Sequence, residues 1–131
     1  MANVFDYLDW RGDLSFSAVP AGEVDNLIFS MLSYLDFAGL VPEEDPAGLP
    51  LRDIVPRYFE LHPRKKGALG LLLSDEILDL LEKAALTPRF GPVRLWGHRG
   101  CLDEERELQF SATAFSLGNG TTFVAYRGTD D

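Results

Sequence analysis

The residues best placed to do chemistry come at the end of the sequence, where Phe123-Val124-Ala125-Tyr126 runs into Arg127-Gly128-Thr129-Asp130-Asp131. A glycine after a buried strand lets the backbone turn sharply and approach a ligand closely. Thr129 would then offer a hydroxyl and a backbone N–H at the sheet edge, two donors of the kind that stabilise charge developing on a carbonyl oxygen. The competing reading of the same residues is a plain strand-to-loop exit, with Asp130 capping whatever follows. Other candidates are weaker. His62 and His98 lie in Pro- and Gly-flanked stretches and could titrate near neutrality, but lone loop histidines are usually ordinary surface. Cys101 stands three residues from His98, too thin a signal for a Cys–His pair, and reads as a bystander thiol. The Arg11-Gly12-Asp13 tripeptide after Trp10 is read as coincidence in so acidic a chain. The sequence holds no G-x-S-x-G elbow, no metal-spaced His/Cys cluster and no phosphate-cradling glycine loop, so neither cofactor nor metal is expected.

The elements that must position such residues divide near residue 90. Residues 1–90 read as a helical region and 91–131 as the strand-rich start of a core, together one incomplete domain. Val24, Leu27, Ile28, Met31, Leu32 and Leu35 follow a helix face, with Glu23 and Asp25 in the first turn and Gly39 and Pro42 beyond its end. A second helix is predicted from Leu51 to about Leu61, starting late or kinking at Pro56. A third starts from Ser74 as N-cap, buries Ile77, Leu78, Leu80 and Leu81, and ends at Pro88. Val93–Gly97 and Leu108–Leu117 then read as strands, with Leu108, Phe110, Ala112 and Ala114 facing one way. Gly118-Asn119-Gly120 is a hairpin signal. The consecutive apolar residues Phe123 to Tyr126 predict a strand covered on both faces.

Composition bounds the function. With 131 residues and 46% hydrophobic content the chain can form one domain with a core, and is not of disordered type. A net charge of -9 argues against nucleic acid or anionic membrane as partner, and the Arg64-Lys65-Lys66 cluster reads as a solvated loop. The longest apolar patch, Ala68 to Leu73, is far short of the roughly 20 residues of a membrane span. One cysteine and no secretory signal predict a cytoplasmic protein.

The opening Asn3-Val4-Phe5-Asp6-Tyr7-Leu8-Asp9-Trp10-Arg11-Gly12-Asp13-Leu14-Ser15-Phe16 resembles the N-terminus of an uncharacterised bacterial family of lipase-like α/β-hydrolases related to class 3 lipases. Glu23–Ile28, Leu32–Phe37, Gln109–Ala112 and Ala125–Asp131 are similar to the same family, with the middle loosest. The resemblance implies an α/β fold, α+β in this stretch alone, with N-terminal helices followed by a hairpin that begins the hydrolase sheet. It implies that Thr129 is an oxyanion-hole donor, with Gly128 at the turn beside it and Arg127 its neighbour. The catalytic Ser, Asp and His of such enzymes would follow later and are absent here. The implied activity, in a longer parent, is cleavage of an ester or acyl substrate by a serine nucleophile.

Two readings follow. The first is the N-terminal part of a serine hydrolase, contributing an oxyanion strand but no nucleophile. The second is a non-catalytic α+β module whose helices and hairpin bind a protein partner. An apolar strand running straight into Arg-Gly-Thr-Asp-Asp predicts that the chain is the front of something longer. It also predicts self-association through the Thr121–Tyr126 strand or the adjacent hairpin, by edge pairing or exchange of elements.

Overall fold

In a computed structural model the backbone is described for residues 2–63, 75–103 and 108–130, and side chains for 4–63, 75–99 and 112–126. Four helices, α1 (Ala2–Arg11), α2 (Glu23–Leu32), α3 (Leu51–Leu61) and α4 (Asp75–Ala85), accompany four strands, β1 (Leu49–Pro50), β2 (Arg94–Asp103), β3 (Leu108–Ser116) and β4 (Thr122–Asp130). The strands form one antiparallel sheet in the order β1-β2-β3-β4, so the fold is mixed α+β. The Arg64-Lys65-Lys66 cluster, the Ala68–Leu73 patch and the Ser74 cap lie outside the described residues.

Helix α2 forms where its periodicity places it, but its buried stripe is Asp25, Ile28, Phe29 and Leu32, with Leu27 43% exposed. It ends at Leu32, earlier than Leu35: Ser33 N–H still bonds Phe29 O, but Tyr34 N–H bonds Met31 O and Leu35 N–H bonds Leu32 O, so the chain tightens out of the α-helix. Leu35 and Phe37 are still buried, from the loop that follows. Helix α3 runs through Pro56, and its first N–H groups find acceptors outside the helix, Leu51 to Val93 O and Arg52 to Gly91 O. Helix α4 buries Leu78, Leu80, Leu81, Ala84 and Ala85.

Phe29 is the centre of the core. Its ring lies 4.8 Å from Phe115 of β3, 5.4 Å from Phe123 of β4 and 5.4 Å from Phe90, with Phe16 closing the group at 5.9 Å. These contacts fix which face of the sheet the helices cover, since antiparallel partners share a face. Phe115 pairs with Phe123 and Leu95, and Thr113 with Ala125, all on the helix side.

A buried ion pair ties the N-terminal loop to this core. Arg89 donates from Nε and Nη2 to the two oxygens of Asp25 at 2.9 and 2.8 Å, and from Nη1 to the carbonyls of Leu14 and Val19 at 2.8 and 3.0 Å. Its guanidinium stacks 4.0 Å over Phe16. Asp25 also accepts from Tyr7 Oη and Gly22 N. Burial alone would raise the Asp25 carboxyl, but the hydrogen bonds from Arg89, Gly22 and Tyr7 outweigh it and hold its pKa below the usual range.

Candidate functional site

Strand β4 is not covered on both faces. Phe123 and Ala125 turn toward the helices, whereas Val124 and Tyr126 are 45% and 66% exposed. The continuous apolar run misled because two of its side chains belong to an open face, not because the strand lies between layers. The register shows what else is there. Among residues whose side chains are described, three cross-strand rows share that face: Arg94–Ser116–Thr122, Trp96–Ala114–Val124 and Arg99–Ala112–Tyr126. In these rows Ala112 and Ala114 are buried, Trp96 and Ser116 half-buried, and Arg94, Arg99, Thr122, Val124 and Tyr126 exposed.

A bulge in β2 makes the rows possible. Between Trp96 and Arg99 the register slips, and Gly97 takes a φ of 68°, its N–H bonded to Pro42 O at 2.8 Å. The extra residue keeps Trp96 and Arg99 on the open face and turns His98 inward. Trp96 is held by its Nε1–H, which donates to Ser116 Oγ at 3.0 Å. Arg94 reaches the carbonyls of Ala47 and Gly48, and Arg99 that of His98; neither pairs with a carboxylate among the described residues. The arrangement is an apolar, aromatic patch edged by two cations.

His98, expected in a surface loop, is therefore buried. Its Nδ1 lies 2.7 Å from Thr113 Oγ1 and its Nε2 3.4 Å from Asp36 Oδ1. Burial lowers its pKa, with Asp36 opposing that, so the ring is neutral at pH 7. An Nε2–H directed at Asp36 leaves Nδ1 to accept from the Thr113 hydroxyl. A hydroxyl–imidazole–carboxylate chain is the order that activates a nucleophile. Here Thr113 is fully buried, so no substrate atom can reach its oxygen, and the chain serves as a satisfied polar contact. His62 caps α3 and stacks 4.6 Å from Tyr58, whose hydroxyl is pushed up to about 12 by burial and by Asp36.

The positions singled out at the end of the sequence sit in β4. The strand continues through Gly128 and Thr129 to Asp130, pairing them with Phe110, Gln109 and Leu108 of β3, so Gly128 stands within a strand and not at a turn. Cys101 pairs with Phe110 in the same sheet. The side chains of Cys101, Arg127 and Thr129 lie outside the described residues. Among the described residues no three His, Cys, Asp or Glu side chains group as metal ligands would. Two shallow depressions, about 160 Å³ beside Arg52, Val55 and Glu82 and about 370 Å³ beside Asp6, Tyr7 and Trp10, gather no reactive set. No helix among the described residues is long and apolar enough to cross a membrane.

Residues 84–131 match a family model described as Mbeg1-like. No curated protein and no solved structure matches the chain. The match overturns the resemblance to lipase-like α/β-hydrolases: no lipase or hydrolase family is found, and the matched span begins after the Asn3–Phe16 and Glu23–Phe37 blocks on which that resemblance mainly stood. The physical reason is that those blocks hold an amphipathic helix, α2, and a loop anchored on Arg89. Such features constrain local structure far more than they specify a chemistry.

Proposed function

We propose that this chain is a protein-interaction module whose partner packs on the open face of the sheet. The observation that carries the reading is the exposure of Val124 and Tyr126 in rows with Trp96 and Arg99, on the face opposite the helices. Tyr, Trp and Arg are the residue types that supply most binding energy at protein interfaces. A cytoplasmic setting suits it, since a chain with one cysteine needs no oxidising compartment. The test is the binding of an apolar dye such as bis-ANS to the native protein. Saturable binding lost in the Val124→Glu/Tyr126→Glu double variant, with its melting temperature unchanged, supports the reading. Binding unaffected by both substitutions removes it.

A second reading takes Gly128 and Thr129 as oxyanion donors for an ester or acyl substrate, with Ser, His and Asp supplied outside these residues. What favours it is the place of both residues on β4, a strand that pairs on one side only among the described residues. A G-x-S-x-G elbow encoded beyond Asp131, together with a Thr129→Val loss of ester turnover of about 10²-fold, supports it. A stop codon directly after Asp131 removes it.

A further inference from the structure

We infer that the depression on helix α1 beside Asp6, Tyr7 and Trp10 binds a methylated ammonium group, the head of a choline-like molecule or of a methylated lysine side chain. This site is separate from the open sheet face and does not depend on how that face is read.

The walls are two aromatic rings on one helix face. Tyr7 and Trp10 stand three residues apart on α1, which makes them neighbours, and their rings meet at 75° with centroids 6.3 Å apart. Tyr7 is held by its Oη, which donates at 2.8 Å to the buried Asp25 carboxylate, itself fixed by Arg89. One wall is thus set before any ligand arrives, which lowers the entropy cost of binding. Trp10 is 68% exposed, so core packing does not account for the indole. Arg11 lies 4.2 Å over one of its faces, the geometry of a cation–π contact, and an indole so exposed keeps its other face open. Val24 of α2, packed against the core, supplies an apolar floor.

Charge selects the ligand. Asp6 comes four residues before Trp10 on α1 and lines the same depression. The next carboxylate along the helix, Asp9, is taken by Lys83 at 2.8 Å. A carboxylate beside the negative faces of two rings attracts a cation and repels an anion, in a chain of net charge -9. A bare ammonium is strongly hydrated and gains little from a shallow site. Methyl groups spread the same charge over an apolar shell that packs on Val24 and the rings. The depression, about 370 Å³, has room for such a group and the start of its tether.

The test is a titration of the isotopically labelled protein with choline, against sodium chloride at equal ionic strength. Amide shifts should move saturably at Asp6, Tyr7, Trp10 and Val24, with a Kd of about 1–10 mM for so open a site. The neutral analogue of choline, with carbon in place of nitrogen, should bind at least about threefold more weakly. Trp10→Ala should abolish the shifts and Asp6→Asn weaken them about threefold, both with an unchanged melting temperature because the two side chains are exposed. A trimethyllysine peptide then separates the two sources. Binding about tenfold tighter than choline supports a ligand carried on a protein, and equal binding supports a free one. Equal binding of choline and its neutral analogue overturns the proposal, since charge then plays no part. So do shifts that fail to saturate, and an unmethylated lysine peptide that binds as tightly as the trimethylated one.

Discussion

Removing Arg89 should cost more stability than removing any exposed side chain. Arg89→Met keeps an apolar stem over Phe16 but leaves the Asp25 carboxylate, which is fully buried, with only Tyr7 and Gly22 as donors. It also strips the Leu14 and Val19 carbonyls of their donor. Breaking a buried pair from one side costs about 3–5 kcal/mol, against a total stability of about 5–15 kcal/mol. At roughly 3–5 °C per kcal/mol for a chain of this size, the melting temperature should fall by roughly 10–20 °C. Urea unfolding followed by circular dichroism reads the free energy directly. Asp25→Leu added to Arg89→Met should cost far less than Asp25→Leu alone, because no buried carboxylate then remains. The pH dependence has a definite sign. Asp25 is lowered in the folded state, so its contribution is present above its ordinary value near 3.8 and lost as pH falls through the lower folded value. In Arg89→Met the unpaired carboxyl can take a proton instead, so the gap between the two proteins narrows on acidification. A cost for Arg89→Met below about 1 kcal/mol, or effects of the two substitutions that add within about 0.5 kcal/mol, would refute the coupling.

Other consequences concern the β2 bulge. The lowered pKa of His98 favours its neutral form, so its contribution to stability is intact above its ordinary value of 6.5 and is lost as pH falls from there toward the folded value. Thermal melts of His98→Gln should accordingly be flatter than the wild type between about pH 7 and 5; an identical slope would remove His98 from the account. Gly97→Ala forces a side chain into a φ of 68° and should cost about 1–2 kcal/mol in urea unfolding. No cost would mean that the bulge can relax to a different register.

The sequence made the helices legible because their apolar spacing reports burial directly. It located α2, α3 and α4, and the Gly118-Asn119-Gly120 turn, where both glycines take φ near 86° and Leu117 N bonds Thr121 O. In α2 the predicted stripe is buried or packed on the core except Leu27, but Asp25, read only as a first-turn acid, is buried with it because its partner Arg89 lies 64 residues away. Nothing local announces that pairing. The open face was illegible for a related reason. Trp96, Ala112 and Tyr126 meet only through the register, and the β2 register depends on one extra residue at Gly97. That glycine beside His98 was the one local clue, since a glycine inside a strand pattern often marks a bulge. Periodicity of two also fails at Phe123–Tyr126, where both faces are apolar for different reasons: one packs on Phe29 and the other faces outward.

The open sheet face is tested most directly by where an apolar ligand lands. Amide chemical-shift mapping of the isotopically labelled protein, titrated with bis-ANS, should concentrate its changes at residues 94–99, 112–116 and 122–126 and leave the α3–α4 depression around Val55 and Ala85 unmoved. Changes centred on that depression, or on Tyr7 and Trp10, would contradict the assignment of the open sheet face as the binding surface.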